Sequence, residues 1–132
     1  MTINRLENLR VIDGLLTVYQ TRLSALEDTP ENVRTRTMYK MTIKALTEER
    51  DLVYGWIETI PDTFIANAII LRYVKQATWK EIGKYLNDSG GGAAVKRKCL
   101  KYVWYSDGGL HNTSGMKPII AESVNMYAGG IE

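Results

Sequence analysis

The chain reads as an all-α protein: a helical hairpin over residues 1 to 60, then a module of three shorter helices over residues 61 to 105. Three observations predict this. Apolar residues recur at spacings of three and four through most of the first hundred positions. The prolines at 30 and 61 fall between those runs, where they stop helices. A capping box, Thr78-Trp79-Lys80-Glu81, announces a further helix start.

The first helix is predicted over residues 3 to 28, where Leu9, Ile12, Leu16, Tyr19, Leu23 and Leu26 form a packed seam. Gly14 inside it costs about 1 kcal/mol relative to alanine. Asp28-Thr29-Pro30-Glu31-Asn32 then combines a proline with turn-prone Asp and Asn, so the chain reverses. From about 33 to 60 two apolar stripes run side by side. Met38, Met41, Ala45, Leu52 and Trp56 make one; Tyr39, Ile43, Leu46, Val53, Ile57 and Ile60 make the other. One stripe packs on the first helix, which leaves the other for the C-terminal module or for a second subunit in a homodimer.

Ile60-Pro61-Asp62 breaks the second helix, because the residue before proline is driven out of the helical region. A third helix follows through Phe64, Ile65, Ala68, Ile69, Leu71 and Tyr73, ending near Val74-Lys75-Gln76. The helix opened by Thr78 carries Trp79, Ile82 and Leu86 on one face, with Lys80 and Lys84 four residues apart on the other. Asn87-Asp88-Ser89-Gly90-Gly91-Gly92 reads as a loop, since consecutive glycines lose most entropy in a helix. From Ala93 to Tyr105, Val95, Cys99, Tyr102 and Val103 share a face, whereas Arg97 and Lys101 lie opposite with Lys98 beside them. Residues 106 to 132 read as a linker and tail, with one short helix at 118 to 127 through Ile119, Ile120, Val124 and Tyr127.

Composition bounds the function. A chain of 132 residues, 45% hydrophobic and 24% charged, sustains one core and not two independent ones. A single cysteine, Cys99, and a single histidine, His111, form neither a disulfide nor an ordinary zinc site, so no metal or other cofactor is expected. No candidate general acid, base or nucleophile has a visible partner, which argues against an enzyme. The start, MTINRLENLR, has no apolar leader and no apolar run is long enough to span a bilayer, so a cytoplasmic protein without membrane contact is expected.

The net charge of +2 becomes informative once divided. Residues 70 to 105 hold eight Lys/Arg against only Glu81 and Asp88, an excess of +6, while residues 106 to 132 hold one against three. A basic excess confined to one segment is the footprint of a polyanionic partner. The acidic tail is then placed to fold back over the basic face.

Three consecutive short helices, the second opened by a capping box and the third basic outside, are the parts of a helix-turn-helix. Gly83 suits the middle helix because a bulky Cβ there would hold the third helix away. On this reading Trp79, Ile82, Gly83, Leu86, Val95 and Cys99 form the module core. Ala93, Arg97 and Lys101 face the major groove; Lys96 and Lys98 lie at its edges, and Thr78, Lys80 and Lys84 add contacts from the supporting helix.

The run Ile70-Leu71-Arg72-Tyr73-Val74, Thr78-Trp79-Lys80-Glu81-Ile82-Gly83, Leu86, the glycines, and Val95-Lys96-Arg97-Lys98 resembles the promoter-reading C-terminal region of sigma factors, and most of all phage-encoded transcriptional regulators of that type. The resemblance covers about residues 58 to 105, and extends loosely to Glu48-Glu49-Arg50-Asp51. It implies sequence-specific DNA binding, regulation of transcription, and contact with RNA polymerase. In the ordinary sigma module the small residue and the anchoring valine stand ten positions apart; Gly83 and Val95 stand twelve apart, so the turn here is longer. A DNA-packaging protein of the small-terminase kind, and a helical protein-binding adaptor or inhibitor, are the competing classes.

Overall fold

The computed structural model describes residues 1–108, and these are helical with no strand among them. Five α-helices follow one another: α1 (Ile3–Ala25), α2 (Val33–Glu58), α3 (Thr63–Ile69), α4 (Trp79–Tyr85) and α5 (Gly91–Ser106). A 3-10 turn at Pro30–Asn32 leads into α2, and a π turn at Ile70–Val74 prolongs α3. The expected helix at 118 to 127 and the acidic tail's cover over the basic face lie outside the described residues.

The local punctuation explains most boundaries. Thr2 caps α1 by accepting from Arg5 N at 3.2 Å, Asp62 caps α3 by accepting from Ile65 N at 3.2 Å, and Thr78 caps α4. The first helix ends at Ala25, three residues before the expected 28, because Leu26 turns extended. Partners from further along the chain hold it there: Arg36 donates to Leu26 O at 2.7 Å, and Asn32 donates to Glu27 O at 3.0 Å.

Helices α1 and α2 run antiparallel. Arg5 pairs with Glu49 at 2.7 Å near one end, and the Tyr19 and Tyr39 rings meet at 5.7 Å toward the other. The seam Leu9, Ile12 and Leu16 is buried as its spacing predicts, while Tyr19, Leu23 and Leu26 are half-buried toward the turn. Of the two stripes on α2, the one from Tyr39 to Ile60 faces inward, with Val53, Ile57 and Ile60 buried. The other is exposed at Met38, Met41, Ala45 and Leu52; only Trp56 packs, its ring 6.0 Å from that of Tyr102.

One core joins both parts of the chain. It gathers Ile3, Leu6 and Leu9 from α1, Val53 and Ile57 from α2, and Ile69, Tyr73, Trp79, Ile82, Val95, Cys99, Leu100 and Val103 from the rest. Each fully buried aliphatic side chain in it contributes roughly 2 kcal/mol of transfer free energy. The basic helix α5 is therefore seated on a foundation that includes α1, and its outward face is fixed by what its inward face buries.

Candidate nucleic-acid interface

The approach of α4 to α5 is set by glycine. A Cβ built on Gly83 would fall 2.8 Å from Gly92 Cα and closer still to the Gly92 nitrogen. One built on Gly92 would lie 2.8 Å from Lys80 N. The two backbones touch, so each helix admits only glycine at the crossing.

This corrects the expected loop. Gly91 and Gly92 belong to the first turn of α5, with Gly90 as the cap. Gly91 sits at φ +72°, a conformation only glycine adopts at little cost, and Gly92 supplies the close approach. The entropy spent on ordering these glycines is offset by helix contacts that no other residue permits. Asp88 fixes the turn before them: its Oδ2 accepts from Gly90 N at 3.1 Å, its carbonyl accepts from Gly91 N at 3.0 Å, and its Oδ1 accepts from Lys98 Nζ at 3.3 Å. Those amides are thus engaged within the protein.

Further support comes from Arg72. Its guanidinium lies over the Trp79 ring, 5.2 Å from the centroid, and donates to Ala77 O at 3.2 Å, closing the link between the π turn and α4. Tyr73 meets Trp79 edge-on at 6.3 Å. The capping box is complete, with Thr78 Oγ1 accepting from Glu81 N at 3.2 Å and Glu81 Oε1 accepting from Thr78 N at 3.3 Å.

Around this scaffold the expected residues are distributed as follows. Trp79, Ile82, Gly83, Val95 and Cys99 are buried, and Leu86 is half-buried against them. Ala93, Arg97 and Lys101 are exposed along one line of α5, spanning about 12 Å of helix. Lys80 and Lys84 are exposed on α4, and with Gly91 and Gly92 they line a groove between the two helices. Thr78 is exposed beside them.

Two lysines depart from expectation. Lys96 does not stand at the edge of the outer face; it is buried, at 3% exposure. Helical periodicity explains this, since Lys96 falls in the same arc as Gly92, Cys99, Leu100 and Val103, and the burial of Leu100 widens the inner face to include it. It is therefore withdrawn from phosphate contact. Lys98 remains exposed, but its ammonium is held by Asp88 and lies 5.1 Å from the centre of the Phe64 ring. It braces the turn.

Cys99 is a packing residue whose thiol burial pushes up to about 12, with the charge of Asp62 adding to the rise and Lys98 opposing it. So high a value leaves no thiolate at neutral pH. Among the described residues no group of three His, Cys, Asp or Glu could hold a metal, and no helix is long and apolar enough to cross a membrane.

From the sequence Asp88 and Gly92 read only as loop residues, Arg72 only as part of the resembling run, and Leu100 not at all. Asp88, two residues before a glycine, carried a readable turn signal. The roles of Arg72 and Gly92 depend on α4 and could not be read locally. No protein-family model, curated protein or solved structure matches the chain.

Proposed function

We propose that the chain is a sequence-specific double-stranded-DNA-binding regulator of transcription, of the kind carried by a phage or other mobile element. Its segment 61 to 105 works as a sigma-like helix-turn-helix in which α5 enters the major groove. The observation that carries this reading is the exposed line Ala93, Arg97 and Lys101 on a helix held at backbone contact by α4, with Lys80 and Lys84 on the flank.

The division of labour follows from reach and chemistry. Arg97 has the fork geometry to read a guanine edge, and Ala93 leaves room for the backbone to approach. Lys80 and Lys84 are point charges suited to phosphates, which fix register without reading sequence. Contact with RNA polymerase belongs to the same reading and rests on the resemblance to sigma factors.

Selection of bound duplexes from a random pool tests it. The expected result is an enriched motif that Arg97→Ala abolishes or relaxes at one position. Lys80→Ala and Lys84→Ala should instead weaken binding to all sequences alike and reduce the slope of log affinity against log salt by about one each. An unenriched pool, or affinity indifferent to all three changes, would overturn the proposal.

A further inference from the structure

The exposed stripe of α2 has no counterpart within the described chain. Met38, Met41 and Leu52 are 58%, 66% and 62% exposed, and Ala45 lies between them. On α1, Val11, Leu15 and Val18 are exposed at spacings of four and three. In each helix the exposed stripe is displaced in the same rotational sense from the buried one, and in an antiparallel pair that puts both stripes on one side. The contacts Arg5 to Glu49 and Tyr19 to Tyr39 set Leu15 level with residues near 43, so the stripes are side by side. A contiguous apolar face of this size on a small protein marks an interaction site.

The charges along it say what covers it. Arg34 and Glu48 continue the α2 stripe at the same four-three spacing as Met38, Met41, Ala45 and Leu52. Both are exposed, and neither makes an ion pair among the described residues. They stand seven residues to either side of Met41. A surface that is positive at one end, negative at the other and apolar between is complementary to its own copy turned end for end.

We propose that this face binds a second copy of the chain, α2 against α2, about a two-fold axis at Met41. Arg34 then faces Glu48 of the partner subunit at both ends. Met41 meets its own copy, and Met38 lies beside Ala45 of the partner subunit. The overlap runs from about residue 30 to 52, about 33 Å of helix. Val11, Leu15 and Val18 of α1 widen the α2 face toward the ~800 Å² per partner that a stable interface needs. Small, exposed Ala45 lets the helices approach, and the isologous geometry closes at two chains.

This inference is independent of the DNA reading, and its test needs no DNA. Light scattering after gel filtration, across two decades of concentration, should give twice the 15.0 kDa chain mass and should give the chain mass alone for Met41→Asp. Arg34→Glu and Glu48→Arg should each weaken self-association by about tenfold, since each sets two like-charge pairs face to face. Mixing these two variants should restore a dimer, because the mixed pair has Glu opposite Arg at both ends. That recovery also excludes a folding defect as the cause of the single-variant loss. A monomer at every concentration, a ring of more than two chains, or failure of the mixture to associate would overturn the proposal.

Discussion

The two helix pairs of this molecule are held by opposite means. Helices α4 and α5 meet backbone to backbone at Gly83 and Gly92, leaving no room for a single methyl group. Helices α1 and α2 meet through interposed side chains such as Tyr19 and Tyr39, and their own glycines, Gly14 and Gly55, face open space with nothing within 4 Å of an added Cβ. The first pair is a fixed bearing for a basic helix. The second is a pair of bars with one apolar side still uncovered. The same residue type is thus a constraint in one region and a cost in the other.

The largest break of that comparison is Gly83→Ala. The obstructing atoms are backbone, which cannot rotate aside, so α5 must shift as a body. Overpacking of this kind costs about 1–3 kcal/mol, occasionally more, against which alanine returns roughly 1 kcal/mol of helix propensity. A clash against backbone belongs at the upper end of that range, so a net loss of about 2 kcal/mol, or roughly 8 °C in melting temperature, is expected from thermal unfolding. An unchanged melting temperature would mean that the two helices are not in contact there.

Cys99 probes the tight region through pH. Its thiol is raised from an ordinary 9.0 to about 12, burial being the main cause. Below pH 9 neither the folded nor the unfolded chain is ionised there, and the contribution to stability is complete. Between pH 9 and 12 the unfolded chain loses the proton while the folded chain keeps it, so stability falls with rising pH by about 1.4 kcal/mol per unit. Tyr73, also raised by burial, adds loss in the same direction from 10.0 upward. Urea midpoints between pH 8 and 10 should show the fall. In Cys99→Ala the portion below pH 10 should vanish, and a slope that persists would place the titration elsewhere.

How much of this was readable in the sequence follows the same division. Elements set by local chemistry were legible: the Pro61 break and the Thr78 capping box both mark true boundaries. The need for a small residue at 83 was legible too, because it follows from how a third helix must cross a second. Its partner was not. Gly91 and Gly92 read as loop because propensity counts entropy and cannot see the facing backbone of α4. Lys96 read as surface because charge usually means solvent, whereas its arc was set by Leu100 and Val103 packing on the shared core. The exposed face of α2 was half legible: two stripes were evident, but which one the first helix would cover depended on the pairing geometry.

Thr78→Ala is a smaller break, confined to the entrance of α4. The lost hydroxyl leaves Glu81 N without its acceptor and removes its own 2.9 Å donation to Glu81 Oε1, while the backbone bond from residue 78 to that oxygen stays; cap removals of this kind cost about 1 kcal/mol. Because α4 is only seven residues long, the loss should appear as faster amide exchange through α4 before it appears globally. Equal protection of α4 in both proteins would show that the seat on α5, and not the cap, holds the helix.

The smallest effect has the opposite sign. Gly14 and Gly55 lie inside α1 and α2 with ordinary helical backbone and open space where a Cβ would go. Alanine there removes conformational freedom from the unfolded chain without meeting anything in the folded one, so each change should stabilise by about 0.5–1 kcal/mol. The contrast with Gly83→Ala is then one substitution type giving a gain in one helix pair and a loss in the other, read by the same thermal unfolding. If Gly14→Ala or Gly55→Ala destabilises instead, the space beside it is occupied in solution. Repeating the melt with Met41→Asp in the background then decides the occupant. A penalty that disappears with the dimer places the neighbouring copy against that glycine, whereas one that persists assigns the obstruction to the chain itself.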